Sequence, residues 1–173
     1  MSSQITSIRS IMRALAAAIR DGGADSSRWP DGLKAPLVYL DGISDEWEPP
    51  AGQEDAPVVV VAAESDNGLG WGGDYGWTLS VLVARDCSSA DANRVPSRDP
   101  GDGIRAAGDG EALEAAVDAV TDIVRAARPG AILRGLSRQW SFHSLPVQYA
   151  VLSLDYMSPG TYAETEDDYP TTF

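Results

Sequence analysis

The amino-acid sequence predicts a single α+β domain in which a mainly antiparallel sheet carries two amphipathic helices. Two segments place apolar residues at helical spacing, and five others alternate or cluster apolar residues as strands do. Most of the predicted strands follow one another without an intervening helix, which favours hairpins. The 173 residues suffice for one domain with a real core. We assign residues 1–156 to this domain and residues 157–173 to an extended acidic arm.

The first predicted helix covers residues 3–20 and the second lies between Asp109 and Pro129. Ser2 or Ser3 is the expected N-cap of the first helix, and Gly22-Gly23 are expected to end it. Asp109 is the expected N-cap of the second. The apolar stripe of the first helix consists of Ile8, Ile11, Met12, Leu15, Ala18 and Ile19, and that of the second of Leu113, Ala116, Val117, Val120, Ile123, Val124 and Ala127.

Strands are predicted at residues 36–41, 58–63, 77–86, 133–143 and 147–156. In the third of these, Trp77, Leu79, Val81 and Val83 fall on one face. The acidic, proline-rich residues 42–57 are predicted to form a surface loop, and the polar residues 87–108 a second one. In the fourth strand, Trp140 and Phe142 share a face.

A glycine-rich stretch follows the second predicted strand, with Gly68, Gly70 and Gly73 in the spacing G-x-G-x-x-G. In dinucleotide-binding proteins that spacing opens a helix whose N-terminus holds the pyrophosphate. Here an alternating strand follows instead, and Asp66 and Asp74 place negative charge where phosphate would lie. We therefore interpret the stretch as the loop of a long β-hairpin.

The remaining patterns favour no catalytic, cofactor or metal site. One histidine, His143, and one cysteine, Cys87, do not make a Cys/His zinc site, and no G-x-S-x-G elbow accompanies the histidine. The acidic stretches 97–103 and 164–168 lack the ligand register of a calcium loop. We expect a protein that is not an enzyme and needs no cofactor.

The chain is strongly acidic, with a net charge of −13 and a pI near 4.3. Such a chain repels nucleic-acid phosphate and anionic lipid, so neither specific DNA binding nor membrane docking is expected. No stretch reaches the roughly 18 uncharged apolar residues of a membrane span.

The order of these elements resembles that of the tail terminator proteins of long-tailed bacteriophages, also called tail completion or head-tail joining proteins. The residues that carry the resemblance lie between positions 3 and 156. They are "ITSIRSIMRALAAAIR", "APVVVVAAE", "GWTLSVLVARD", "EALEAAVDAVTDIVRAA" and "RQWSFHSLPVQYAVLSLDY". The long loop 87–108 and the acidic arm depart from the smaller members of that family.

The resemblance implies a structural virion protein of the tail or neck, present in the host cytoplasm during assembly. It implies a homo-oligomeric ring, a hexamer, whose partners are the tail tube protein and the head-tail connector protein. DNA would pass through the lumen without specific binding. Another neck or connector protein, or a tube subunit, remains an alternative, although tube subunits are mostly β.

Contacts between assembling subunits are expected at the tip of the glycine-rich hairpin and along the acidic arm. The candidate residues are Asp66, Asn67, Leu69, Trp71, Asp74, Tyr75, Tyr162, Tyr169 and Phe173. A rival interpretation is an acidic binding module, such as an inhibitor or immunity protein of a basic partner. Its support is the net charge together with three aromatic residues expected at the surface, Trp47, Trp71 and Tyr75.

Overall fold

A computed structural model of the chain describes residues 7–67, 76–86, 110–141 and 147–158. Their elements run in the order α1 (Ile8–Gly23), β1 (Leu37–Leu40), β2 (Val58–Asn67), β3 (Gly76–Asp86), α2 (Gly110–Ala126), β4 (Ile132–Ser141) and β5 (Val147–Met157). The described residues therefore confirm an α+β architecture with two helices and five strands. The Asp109 cap, the loop 87–108, the connection after β4 and the acidic arm beyond residue 158 lie outside them.

The five strands form one mixed sheet in the order β1-β2-β3-β5-β4. β2, β3, β5 and β4 pair antiparallel with their neighbours, whereas β1 pairs parallel with β2. The final two strands form the expected hairpin pair, but it is β5 that lies beside β3. β4 is therefore an edge strand of the described sheet, and β1 is the other.

Both helices pack on the same face of the sheet, which we call the helix face. Burial of their apolar stripes against the strands removes apolar surface from water and supplies the main driving force for this arrangement. The stripe of α1 packs mainly against β1 and β2, and that of α2 against β3 and β5. The core contains Ile11, Met12, Leu15 and Ile19 of α1, Leu113, Val117, Val120 and Ile123 of α2, and Val59, Val61, Trp77, Leu79, Val81, Val83, Leu152 and Leu154 of the sheet.

The connection 41–57 runs between two parallel strands, so it returns along the sheet rather than turning back as a hairpin would. Trp47 in this connection contacts Tyr39 of β1 edge-on, with ring centroids 5.9 Å apart, and its indole N–H donates to the Tyr39 hydroxyl at 2.8 Å. Lys34 donates to the Gly52 carbonyl at 2.7 Å and pairs with Asp55. The first contact attaches the connection to the side of β1 opposite the helices, and the second attaches it to the segment before β1.

Several boundaries differ from the sequence prediction. α1 begins at Ile8 with Ser7 as its N-cap, whose Oγ accepts from the Ser10 N–H at 3.1 Å, so the expected caps Ser2 and Ser3 were wrong. The helix continues past the predicted residue 20 and ends at Gly23, which confirms that the Gly22-Gly23 pair ends it; both glycines are buried. β2 continues to Asn67, beyond the predicted end at residue 63, because its polar end pairs with β3 past an irregularity between Ala63 and Ser65.

Among the described residues no helix is long and apolar enough to cross a membrane.

Candidate assembly surfaces

Two of the residues expected at assembly contacts fall within the described part of the chain. Asp66 and Asn67 form the last pairs of the β2–β3 hairpin, opposite Trp77 and Gly76. The side chain of Asp66 is exposed, whereas that of Trp77 is buried in the core. The other candidates lie outside the described residues: Leu69, Trp71, Asp74, Tyr75, Tyr162, Tyr169 and Phe173.

The hairpin extends beyond the edge strand next to it. β1 ends at Leu40, opposite Val61, but β2 continues for six more residues to Asn67. At about 3.3 Å per residue, the hairpin reaches about 20 Å past the end of β1. On its other side it is supported by β5, which pairs with β3 as far as Gly76 and Met157. The hairpin is thus a supported projection from one end of the sheet.

The prediction that a strand follows the glycine-rich loop is confirmed, because β3 begins at Gly76. A dinucleotide fingerprint needs a helix at this place to supply backbone N–H groups and a positive dipole end. The described residues next to the loop supply paired strand backbone instead. Within the described ranges no group of three or more histidine, cysteine or acidic side chains is arranged to hold a metal ion.

The face of the sheet opposite the helices, which we call the second face, mixes apolar and small polar side chains. No described helix packs on it. Val58 and Val60 of β2 are nevertheless buried, with Val60 only 7% exposed. On β3 and β5 the described side chains of this face are half-buried, except that Val147 and Asp155 of β5 are exposed. A row of small residues crosses the sheet here in register, formed by Ala62, Ser80, Ser153 and Ser137.

Asp155 on the second face accepts a hydrogen bond from the Thr78 hydroxyl at 2.9 Å, which links β5 to β3 through their side chains. This bond is exposed, so its contribution to the stability of the sheet is small. On β5, Asp155 is the only charged residue that the described strand places on this face.

The outer edge of the sheet at β4 carries an aromatic and charged cluster on the helix face. Arg138 pairs with Asp118 of α2 at 2.5 Å, and its guanidinium lies 5.6 Å from the ring centroid of Trp140. Trp140 is 37% exposed. The expectation that Trp140 lies on one face with Phe142 is untested at Phe142, which is outside the described residues. The cation–π geometry places a charged group over the face of the ring.

At the opposite edge, a groove of about 340 Å³ lies between α1 and β1. We call it the α1–β1 groove. It is lined by Arg13, Ala16, Ala17, Arg20, Val38 and Leu40. The groove exists because Ala16 and Ala17 have small side chains. Larger side chains at these positions of α1 would fill it. The floor is therefore apolar and its rim is basic.

Charges at one end of this groove are paired. Arg9 donates to Asp41, and this hydrogen bond is the main reason why the pKa of Asp41 lies below its ordinary value. The positive charges of Arg9 and Arg13 act in the same direction. Asp41 adopts a left-handed backbone with φ of 69°, a conformation that aspartate tolerates better than most residues. The Arg9–Asp41 ion pair joins the start of α1 to the end of β1.

The two arginines that line the groove are less firmly paired than Arg9. Arg20 pairs with Asp21, its neighbour in sequence, at 2.9 Å, and both side chains are 69% exposed, so water competes strongly for both. Arg13 makes no hydrogen bond or ion pair with any described residue. Its charge acts on Asp41 only through space, which leaves its guanidinium N–H groups without a hydrogen-bond acceptor among the described residues.

The α1–β1 groove was not anticipated from the sequence. In the sequence, Arg9, Arg13 and Arg20 lie off the apolar stripe of α1, and this spacing is the signal that could have pointed to a basic rim. β1 forms part of the floor because it lies at the edge of the sheet and packs against α1. Neither property follows from the four residues of β1.

Comparison with known proteins adds no assignment. No model of a protein family matches this chain, and no curated protein matches its sequence significantly.

Proposed function

We propose that this chain is a structural protein of a bacteriophage tail, a tail terminator. Copies of it would form a ring, a hexamer by the family resemblance, that caps the finished tail tube and joins it to the head connector. It would act by contact alone, without a catalytic residue or a cofactor. The duplex would pass through the ring without specific binding.

The observation that carries this proposal is the combination of one helix-covered face with a supported, projecting hairpin. The helices and the sheet supply a rigid body, since their side chains share one continuous core. The β2–β3 hairpin extends about 20 Å past the end of β1, far enough to reach a neighbouring molecule. A rigid body with a projecting contact element is suited to head-to-tail association, which closes into a ring when the rotation between copies allows it.

The acidic charge is compatible with the same role. Repeated around a ring, −13 per subunit would produce a negative potential that repels the phosphate backbone. Repulsion of this kind lets a duplex slide instead of adhering to the wall.

The rival interpretation, an inhibitor or immunity module, loses part of its support. It relied on three aromatic residues at the surface, but Trp47 is half-buried and its indole N–H is bound to the Tyr39 hydroxyl. Trp47 therefore acts as an anchor of the connection 41–57. Trp71 and Tyr75 lie outside the described residues and distinguish neither interpretation.

The direct test is the state of association of the purified full chain. We expect rings in negative-stain electron micrographs, and a mass from light scattering of several subunits, six for the hexamer. A chain that stays monomeric at high concentration, and that does not bind to the ends of purified tail tubes, would refute the proposal.

The role of the hairpin has its own test. Replacing Trp71 and Tyr75 by alanine is expected to weaken association without lowering the thermal stability of the monomer, because the sequence predicts both residues in the loop of the hairpin. The matched control is Ile43→Ala, which removes an apolar side chain that is 42% exposed in the connection 41–57. Equal effects of the two changes would argue against a contact at the hairpin.

A further inference from the structure

The α1–β1 groove combines an apolar floor with a basic rim at an edge of the sheet. The floor is formed by Ala16, Ala17, Val38 and Leu40, and the rim by Arg13 and Arg20. Arg13 and Arg20 are seven positions apart on α1, so their Cα atoms are separated by about 10 Å along the helix. A segment that fits this groove needs carboxylates spread over a similar length and apolar groups next to them.

The C-terminal residues 159–173 of this same chain have that composition. Glu164, Glu166, Asp167 and Asp168 lie within five positions, and the segment contains no basic residue. In extended form these five positions cover about 13 Å, which is comparable with the spacing of the two arginines. The apolar groups are supplied by Tyr162, Tyr169 and Phe173.

We propose that the α1–β1 groove binds the acidic C-terminal segment, residues 159–173, of a neighbouring copy of this chain. The carboxylates pair with Arg13 and Arg20 at the rim, and an aromatic ring enters the space above Ala16 and Ala17. Each copy would thus carry one groove and one segment, which is a heterologous contact of the kind that builds rings. The inference deepens the proposed function and rests on its premise that copies of the chain assemble.

Charge complementarity favours an acidic occupant of the groove over a basic one. α1 contains three arginines and one aspartate, whereas the whole chain has 13 basic and 26 acidic residues. The groove is therefore a basic site on an acidic molecule. Ion pairs formed beside an apolar floor lose part of their water, which makes them stronger than fully exposed pairs.

The position where β5 ends favours a neighbouring copy over the same chain. Leu40 is in register with Leu152 through β2 and β3, and Met157 lies five residues further along. Met157 is therefore about 17 Å along the strands and about 14 Å across them from Leu40, a direct distance of about 22 Å.

That direct line crosses the space held by the β2–β3 hairpin. Along it, an extended chain needs about seven residues to arrive, so Glu164 would reach Leu40 and the other three carboxylates could continue along the groove only if this blocked route were open. Any path around the hairpin is longer. A segment that arrives from a neighbouring copy is not limited in this way, and can place its carboxylates beside both arginines.

The first experiment maps the contact by cross-linking in the full chain. In a Cys87→Ser background, Ala17→Cys marks the groove and Ala163→Cys marks the residue before the carboxylates. A short bismaleimide is expected to join the two cysteines between molecules and to produce a ladder on a denaturing gel. The control pairs Ala163→Cys with Ile43→Cys, an exposed position outside the groove, and is expected to give no ladder.

Two results would overturn the inference: a ladder no stronger than that of the control, or cross-links found by mass spectrometry only within single chains. The outcome is separable from that of the proposed function. Rings without the cross-link would refute the groove contact alone, whereas the cross-link without rings would support the contact and refute the ring.

The second experiment reverses the charges. Arg13→Glu together with Arg20→Glu is expected to weaken association by about tenfold, which corresponds to about 1.4 kcal/mol for two partly exposed ion pairs. Glu164→Arg together with Asp167→Arg, added to that variant, is expected to restore it. The control Arg28→Glu with Arg125→Glu changes the net charge equally at exposed positions away from the groove. Equal weakening by both double variants, or no rescue, would contradict the contact.

Discussion

At the scale of single residues, Tyr156 shows what the core does to a polar group. Its side chain is only 3% exposed, and its hydroxyl makes no hydrogen bond with the described residues. Burial raises the pKa of Tyr156 to about 12, since the phenolate would lose its hydration. The neutral form is therefore favoured by folding. Stability from this source is complete below the ordinary tyrosine pKa of about 10 and is lost as the pH rises from there through 12.

We therefore expect Tyr156→Phe to leave the free energy of unfolding at neutral pH unchanged or to raise it by about 1 kcal/mol, because it removes a buried hydroxyl without a partner. The variant should also lose less stability than the parent between pH 10 and 12. Urea unfolding at a series of pH values measures both effects. A marked destabilisation at neutral pH would show that the hydroxyl has a partner in the folded protein.

At Gly23, close packing against Pro36 opposes what helix propensity alone would favour. A Cβ atom at Gly23 would lie 2.2 Å from Cδ and 2.5 Å from Cγ of Pro36, and a proline ring cannot rotate away. Helix propensity alone would make Gly23→Ala stabilising by up to about 1 kcal/mol.

We expect the opposite, a loss of about 1–3 kcal/mol in the free energy of unfolding, because the end of α1 must move away from the start of β1. Denaturant unfolding of the purified variant gives the sign directly. An equally or more stable variant would mean that this end of α1 is not packed tightly against Pro36.

At the scale of elements, the two faces of β3 differ in how deeply their side chains are buried. Leu79 is fully buried on the helix face, between both neighbouring strands and the helices, while Leu82 is half-buried on the second face. The two leucines have the same side chain on the same strand, so they form a matched pair.

Leu79→Ala is expected to cost about 2–5 kcal/mol in the free energy of unfolding, because it leaves a cavity in the core. Leu82→Ala is expected to cost about 1 kcal/mol, because its side chain is only partly removed from water. Thermal or urea unfolding of the two variants measures the difference. Similar losses would indicate that the second face is as well packed as the helix face.

At the scale of the whole molecule, the sheet depends on pairings between distant parts of the sequence. β3 and β5 are neighbours in the sheet, although α2 and β4 separate them in sequence. β1 and β2 are parallel and need the connection 41–57 to return along the sheet. Such pairings form slowly, because the entropy of closing a long loop is lost before the contacts between the strands stabilise the structure.

Folding is therefore expected to take milliseconds to seconds, slower than a helical bundle of the same size. Stopped-flow dilution from urea, followed by the fluorescence of the five tryptophans, measures it. Folding within microseconds would show that helix formation, not the closure of the sheet, limits the rate.

Local patterns were sufficient for part of this structure. The stripe of α2 and the alternation of β3 are strong enough that burial of one face follows from spacing alone. Weak local signals failed: several serines precede α1, and the one that caps it is Ser7, not Ser2 or Ser3. Asp66 and Asn67, expected in the loop after the strand, pair with β3 as the last residues of β2, and their role as contacts stays a prediction; the α1–β1 groove was missed.

By itself, the sequence determined which segments form helices and strands, which side of each is apolar, and the acidic charge of the molecule. These properties depend on residues near one another in the chain. Only the tertiary structure decided that β5 lies beside β3, that β1 joins the sheet in parallel, and that arginines of α1 border an apolar groove at its edge. The reason is that strand order and groove shape depend on burial shared between distant segments, and no single segment contains that information.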